Sequence, residues 1–225
     1  VLFRSRLQFA DGQLFGRLGK LCLKEITNHA FSSDSHSINM RLRQLLQLFQ
    51  SKLLEGPPRK ISGVSSSCFY IFTDACFEPN RPSWPCGLGG VIYGPDGSAI
   101  QAFSICLSQS QINMLGAAVK QTIIFEAELL ALIVSFVLWR NIVSCAPVVF
   151  YVDNNSARDV AISASGRSKL IAGLIEQLLK VEDVSSCFCW FARVPSPSNP
   201  ADDPSRGEVA ALINSGVPFV DVRSE

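Results

Sequence analysis

The chain has 225 residues, 48% of them apolar and 17% charged, which excludes a largely disordered chain and allows one sizeable core with an appendage. Its net charge of +1 hides an asymmetry: residues 1–60 hold ten Lys and Arg against four Asp and Glu, whereas residues 61–225 hold ten against fifteen. Eight cysteines form no C-x-x-C pair, and the two histidines, His29 and His36, lie far from them, which argues against a zinc site and for reduced thiols of an intracellular protein.

In chain order, the start is Val rather than Met, so a fragment is expected, and Val1-Leu2-Phe3-Arg4-Ser5 reads as translated sequencing-adapter DNA. Residues 7–55 carry helical spacing, with Leu42, Leu45, Leu46, Leu48, Phe49, Leu53 and Leu54 recurring at it. Gly56-Pro57-Pro58 stops the pattern, and the Ser-rich stretch from Lys60 to Ser67 reads as a linker. The expected division is therefore a helical segment over 1–60, a linker over 61–67, an α/β domain over 68–214 and a tail over 215–225.

Strand signals follow at Cys68 to Asp74, Gly87 to Tyr93 and Ser98 to Cys106, the last two joined by the turn Gly94-Pro95-Asp96-Gly97. The connection between the first two is a Pro-rich loop holding Trp84. Leu107 to Lys120 is expected to be a loop and Thr122 to Asn141 a helix. Its apolar stretch, Leu129 to Trp139, is too short to span a bilayer and has Glu126 and Glu128 just before it, so no membrane partner is expected. A strand at Pro147 to Val152, helices at Asn154 to Ala164 and Lys169 to Glu182, a strand at Cys187 to Val194 and a helix at Pro204 to Ile213 complete the pattern. The order βββαβααβα predicts an α/β fold: a mixed five-stranded sheet with helices on both faces.

Acids punctuate this pattern at the ends of its elements. Asp74 closes the first strand and Asp153 the fourth. Asn154 or Asn155 can cap the helix after Asp153, leaving that carboxylate free. Glu126 and Glu128 lie on one helix but point about 200° apart, so at most one can face the first strand, and the apolar residues around each do not choose between them. Asp202 and Asp203 precede Pro204, a residue favoured at the first helical position, which makes Asp203 the expected cap and leaves Asp202 for chemistry. A buried acid is costly without a cation, and four from distant segments point to one divalent-metal site of the kind that cuts phosphodiesters.

The pieces Thr73-Asp74-Ala75, Gly87-Leu88-Gly89-Gly90-Val91, Ala127-Glu128-Leu129-Leu130-Ala131, Val152-Asp153-Asn154 and Val194-Pro195-Ser196 with Asn199-Pro200-Ala201-Asp202-Asp203-Pro204-Ser205-Arg206-Gly207 resemble the ribonuclease H domain of reverse transcriptases. The last piece is similar to its counterpart in hepadnaviral polymerases and DIRS-like retroelements. Arg6 to Arg17, with Pro57-Pro58-Arg59, resembles the thumb or connection region that precedes this domain in such elements.

The resemblance implies a ribonuclease H-like fold and selects Glu128 over Glu126. It implies that Asp74, Glu128, Asp153 and Asp202 hold two Mg2+ ions about 4 Å apart, with Mn2+ able to substitute and Asp74 bridging both. The implied substrate is the RNA strand of an RNA–DNA hybrid, contacted by Gly89, Gly90, Asn154, Ser196 and Arg206. The implied partner is a polymerase domain of the same polyprotein. Many members carry a His in the loop before the last Asp; here that loop reads Pro195-Ser196-Pro197-Ser198. The rival readings are a catalytically inactive nucleic-acid-binding or connection module of a decayed element, and a transposase or integrase. In the last of these the acids run Asp, Asp, Glu, against the order found here.

Overall fold

A computed structural model describes residues 2–14, 16–31, 37–56, 58, 67–117, 119–166 and 168–220. The expected linker lies almost wholly outside the described residues.

The helical front of the chain forms three helices, α1 (Leu2–Gln13), α2 (Gly19–Ala30) and α3 (Met40–Glu55). Asn39 caps α3 by accepting from the Leu42 amide at 2.7 Å, and Gly56 ends it. The sheet that follows has strands β1 (Phe69–Phe77), β2 (Cys86–Tyr93), β3 (Ala99–Cys106), β4 (Pro147–Val152) and β5 (Phe188–Arg193), in the order β3-β2-β1-β4-β5. Strands β1 to β3 pair antiparallel, whereas β4 runs parallel to both β1 and β5. This is the expected mixed five-stranded sheet.

Between the strands lie α4 (Gln109–Met114), α5 (Ile124–Trp139), α6 (Asn155–Ser163) and α7 (Lys169–Ser185), followed by the short α8 (Asp202–Ser205) and α9 (Ala210–Asn214). Helix α5 is apolar almost all round and lies against one sheet face. Phe136 meets Phe150 with ring centroids 5.0 Å apart, and Trp139 meets Phe103 at 5.5 Å. Phe150 stacks in turn on Phe191, over which Arg17 stands, and the same guanidinium bonds Ala161 of α6 and Glu182 of α7, so these helices share the α5 face. The opposite face carries α8, which packs on β1, β2 and β3. Helices thus cover both faces.

Three expectations need correction. The stretch expected as a loop at 107–120 contains α4, started by a reciprocal capping box between Ser108 and Gln111. The expected closing helix is broken into α8 and α9, with Gly207 in a left-handed turn between them at φ +79°. Strand β1 continues past Asp74 to Phe77, because β2 still pairs with it after β4 has stopped at Val152.

The front helices share the buried core of the sheet. Leu14, Leu18, Leu21, Cys22, Leu45 and Phe49 belong to the same continuous apolar cluster as Phe103, Phe136 and Phe150. Ion pairs cross the same contact: Arg17 with Glu182, Lys52 with Asp183 and Arg41 with Glu176. All eight cysteines are unbridged, and among the described residues no helix is long and apolar enough to cross a membrane.

Candidate metal centre

The topology switches from antiparallel to parallel at β1, and this position gathers the acids. Thr73 pairs with Val152 across β1 and β4, so the next residues, Asp74 and Asp153, stand side by side. On the other side Asp74 pairs with Gly89 of β2. Glu128 reaches the same point from one turn inside α5, where its Oε1 accepts from the Ala75 amide at 3.4 Å. Carboxylate oxygens of Asp74, Glu128 and Asp153 all lie within 4.8 Å of one another. They line an open cleft of about 470 Å³ with Glu78, Asn154, Ser196, Asp202 and Arg206.

Asp74 and Glu128 are each only 3% exposed. Burial raises the Asp74 carboxyl to about 7; a hydrogen bond from Ser205 works against this, and the nearby Asp153 and Asp202 add to the rise. Glu128 is held well above the usual carboxylate range, first by burial and then by Asp74 and Asp153. Its Oε2 is buried without any hydrogen-bond partner. An unsatisfied oxygen on a buried acid grouped with two others is expensive unless a cation meets that group, and three hard oxygen donors suit a divalent ion of the Mg2+ type. The donor set therefore fits such a metal.

Asp74 is braced on both oxygens. Ser205 Oγ donates to its Oδ2 at 2.6 Å, and Asn199 Nδ2 donates to its Oδ1 at 3.4 Å and to the Thr73 carbonyl at 3.1 Å. Asp153 accepts from Ser196 Oγ at 2.8 Å. Asn154 caps α6 by accepting from the Ala157 amide at 3.1 Å, which leaves Asp153 free for the cleft. Glu126 points away from the cluster and is paired with Lys120.

Asp202 lines the cleft but stands outside the group of three. Arg206 grips it with contacts of 3.1–3.3 Å from Nε and the second terminal nitrogen, while its first terminal nitrogen donates to Glu78 at 2.6 Å. The expected cap at Asp203 does not form: Ala201 precedes α8, and no side chain caps it. Asp203 instead offers its carbonyl to the amides of Arg206 and Glu208.

Gly89 and Gly90 are closely packed on the side where a side chain would stand. A Cβ on Gly89 would stand 2.4 Å from the Ser205 amide nitrogen and 2.6 Å from the Ala201 carbonyl oxygen; one on Gly90 would meet the Phe103 ring at 2.3 Å. Both glycines serve close packing, of α8 on one face and of Phe103 on the other. Sequence reasoning also gave no role to Ser205, Asn199 or Trp84, although each braces the site. Trp84 Nε1 donates to the Ser205 carbonyl at 2.7 Å. The only sequence signal was their place in the quoted stretch and in the Pro-rich loop.

No protein-family model matches the chain, and no curated protein matches it in sequence. Among solved structures it is similar to RNase H domains. The N-terminal RNase H domain of Rv2228c from Mycobacterium tuberculosis is 16% identical, over 68% of this chain and 100% of that one, with a TM-score of 0.47. RNase H1 from the archaeon Halobacterium salinarum is 15% identical, over 65% and 98%, with a TM-score of 0.48. The protease-reverse transcriptase of prototype foamy virus is 14% identical over 87% of this chain but only 30% of that one, with a TM-score of 0.38.

Proposed function

We propose that this chain is a Mg2+-dependent endonuclease that hydrolyses the RNA strand of an RNA–DNA hybrid, as the ribonuclease H part of a retroelement reverse transcriptase. The observation that carries the reading is the convergence of Asp74, Glu128 and Asp153 from three separate elements to within 4.8 Å, with the Glu128 Oε2 buried and unpartnered. In this reading Asp74, Glu128, Asp153 and Asp202 hold the metal pair. Bound there, the metals supply activation of the attacking water and neutralise charge on the leaving oxygen.

The protein's part is to keep the carboxylates placed before the substrate arrives. Ser205 and Asn199 fix the two oxygens of Asp74, so little reorganisation is needed when a cation enters. Ser196 orients Asp153 from the loop in which related domains carry a histidine, but a serine hydroxyl is a poor proton carrier near neutral pH. Proton transfer then falls to water, and turnover is expected to be slow. Arg206, on the rim of the cleft, meets the phosphate backbone of the hybrid. The front helices take the place of the thumb or connection region of a polymerase.

The test uses the full chain, a hybrid with labelled RNA, and Mg2+. The intact chain cleaves the RNA strand, chelation stops it, and Asp74→Asn lowers the rate at least about a hundredfold, as loss of a transition-state charge contact does. Equal cleavage by both chains removes the metal site. No cleavage and no Mg2+ binding by the intact chain would favour an inactive module of the same fold.

A further inference from the structure

Three of the four candidate ligands converge, and the fourth is withheld. The carboxylate of Asp202 is bonded twice by Arg206 Nε, at 3.3 and 3.2 Å, and once by a terminal nitrogen, at 3.1 Å. A divalent ion that takes Asp202 as a ligand must displace this guanidinium. Expelling an arginine from an acidic cleft into water costs its ion pair and removes the cation that a phosphate backbone would meet.

A second acid stands ready. Glu78 Oε1 accepts from the other terminal nitrogen of Arg206 at 2.6 Å, and the Glu78 Oε2 lies 3.8 Å from Arg81. Arg81 also donates to the Arg206 carbonyl at 3.2 Å, which ties the backbone of that residue to the same loop. Glu78, Asp202 and Arg206 all face the cleft. Glu78 thus holds the arginine with one oxygen, independently of Asp202, while its other oxygen lies in the field of Arg81.

We propose that Glu78 is a positioning residue for the metal site: it retains Arg206 at the cleft rim while Asp202 exchanges the guanidinium for a divalent cation. This inference rests on the metal-dependent reading above. Because Arg206 remains tethered through one nitrogen, only the Asp202 contacts break when the ion enters, and the guanidinium stays beside the path of the phosphate backbone. Without Glu78 the arginine has Asp202 as its sole carboxylate partner and competes with the ion directly. Glu78 therefore acts through Arg206 and not as a ligand.

The experiment is a double-mutant cycle on the full chain, comparing the wild type, Glu78→Gln, Arg206→Gln and the double variant. Mg2+ alone is titrated without nucleic acid, and the half-point of thermal stabilisation is read. Glu78→Gln is expected to raise the half-point about three- to fivefold, the span that partly exposed pairs of this kind support. Arg206→Gln is expected to lower it. In the Arg206→Gln chain, Glu78→Gln is expected to leave it unchanged, because there is no arginine left to retain.

Equal shifts by Glu78→Gln in both backgrounds would mean that Glu78 acts only through its field, and would overturn the inference; so would no shift in either. The Arg206 and Glu78 side chains are 40% and 38% exposed, and the metal-free midpoints of the four proteins report whether each still folds. Hybrid cleavage by the wild type separates the two layers. If the wild type cleaves and binds Mg2+ but the cycle shows no coupling, only the role of Glu78 falls. If it does neither, the metal-site reading falls and takes this inference with it.

Discussion

Asp74 is an acid that the fold keeps out of water, and its titration follows from that. Its carboxyl is raised to about 7 by burial and by neighbouring acids, against 3.8 in the unfolded chain. Between these values the folded state binds more protons than the unfolded state, so stability falls as pH rises through this window. Without divalent metal, the thermal midpoint is therefore expected to be higher at pH 5 than at pH 8. Saturating Mg2+ is expected to flatten or reverse that slope, because the ion binds the deprotonated form. Asp74→Asn, which cannot ionise, is expected to remove much of the slope without metal. A midpoint that rises with pH in the metal-free wild type would contradict the burial argument. Glu128 acts in the same direction, raised first by burial and then by Asp74 and Asp153.

At the scale of elements, α8 spans four residues and is too short to be stable alone. Its carbonyls are held from outside: Ser104 Oγ donates to the Pro204 carbonyl at 2.6 Å, while Trp84 and Cys76 donate to the Ser205 carbonyl at 2.7 and 3.0 Å. The seat is made by Gly89, where any side chain would run into backbone atoms of α8. Gly89→Ala is accordingly expected to destabilise the protein by about 1–3 kcal/mol through overpacking. It should also raise the Mg2+ half-point, because α8 carries Ser205 and Asp202. Denaturant midpoints and Mg2+ titration check both effects. Gly97→Ala is the control for stability alone, since its Cβ meets nothing within 4 Å but its φ of +80° is strained for alanine.

At the scale of the molecule, the front helices and the sheet unit are joined by a buried charge. Glu182 is 4% exposed and receives Arg17 at 2.6 Å, and the same guanidinium donates to the Ala161 carbonyl at 2.6 Å and lies 5.1 Å from the Phe191 ring centre. Removing the arginine leaves a buried carboxylate unpaired. Arg17→Ala is expected to cost about 3–5 kcal/mol and to lower a single calorimetric transition. Arg17→Ala combined with Glu182→Gln is expected to recover part of the loss. A transition that split in two on Arg17→Ala would instead make the front helices an independent unit, as the Ser-rich stretch after Pro58 suggests. The shared apolar cluster favours one transition.

The sequence by itself determined the sheet and named the acids of the candidate site. Apolar runs of strand length placed three strands within 68–106 and one each at 147–152 and 187–194, because burial patterns of this kind are local. The short polar stretches at Asn154 and Gly94 placed a cap and a turn for the same reason. The resemblance selected Glu128 over Glu126, a choice that helical geometry had left open; in the structure Glu128 lies in the acidic cluster and Glu126 is paired to Lys120. The rest required the chain to be folded. Asp202 stands apart because Arg206 sits one helical turn away and Glu78 comes from another loop. Gly89 packs closely against α8, and Asp74 is braced by a serine and an asparagine more than 120 residues away in sequence. Hydrogen bonds and close packing between segments so far apart depend on distances that no local pattern of residues encodes.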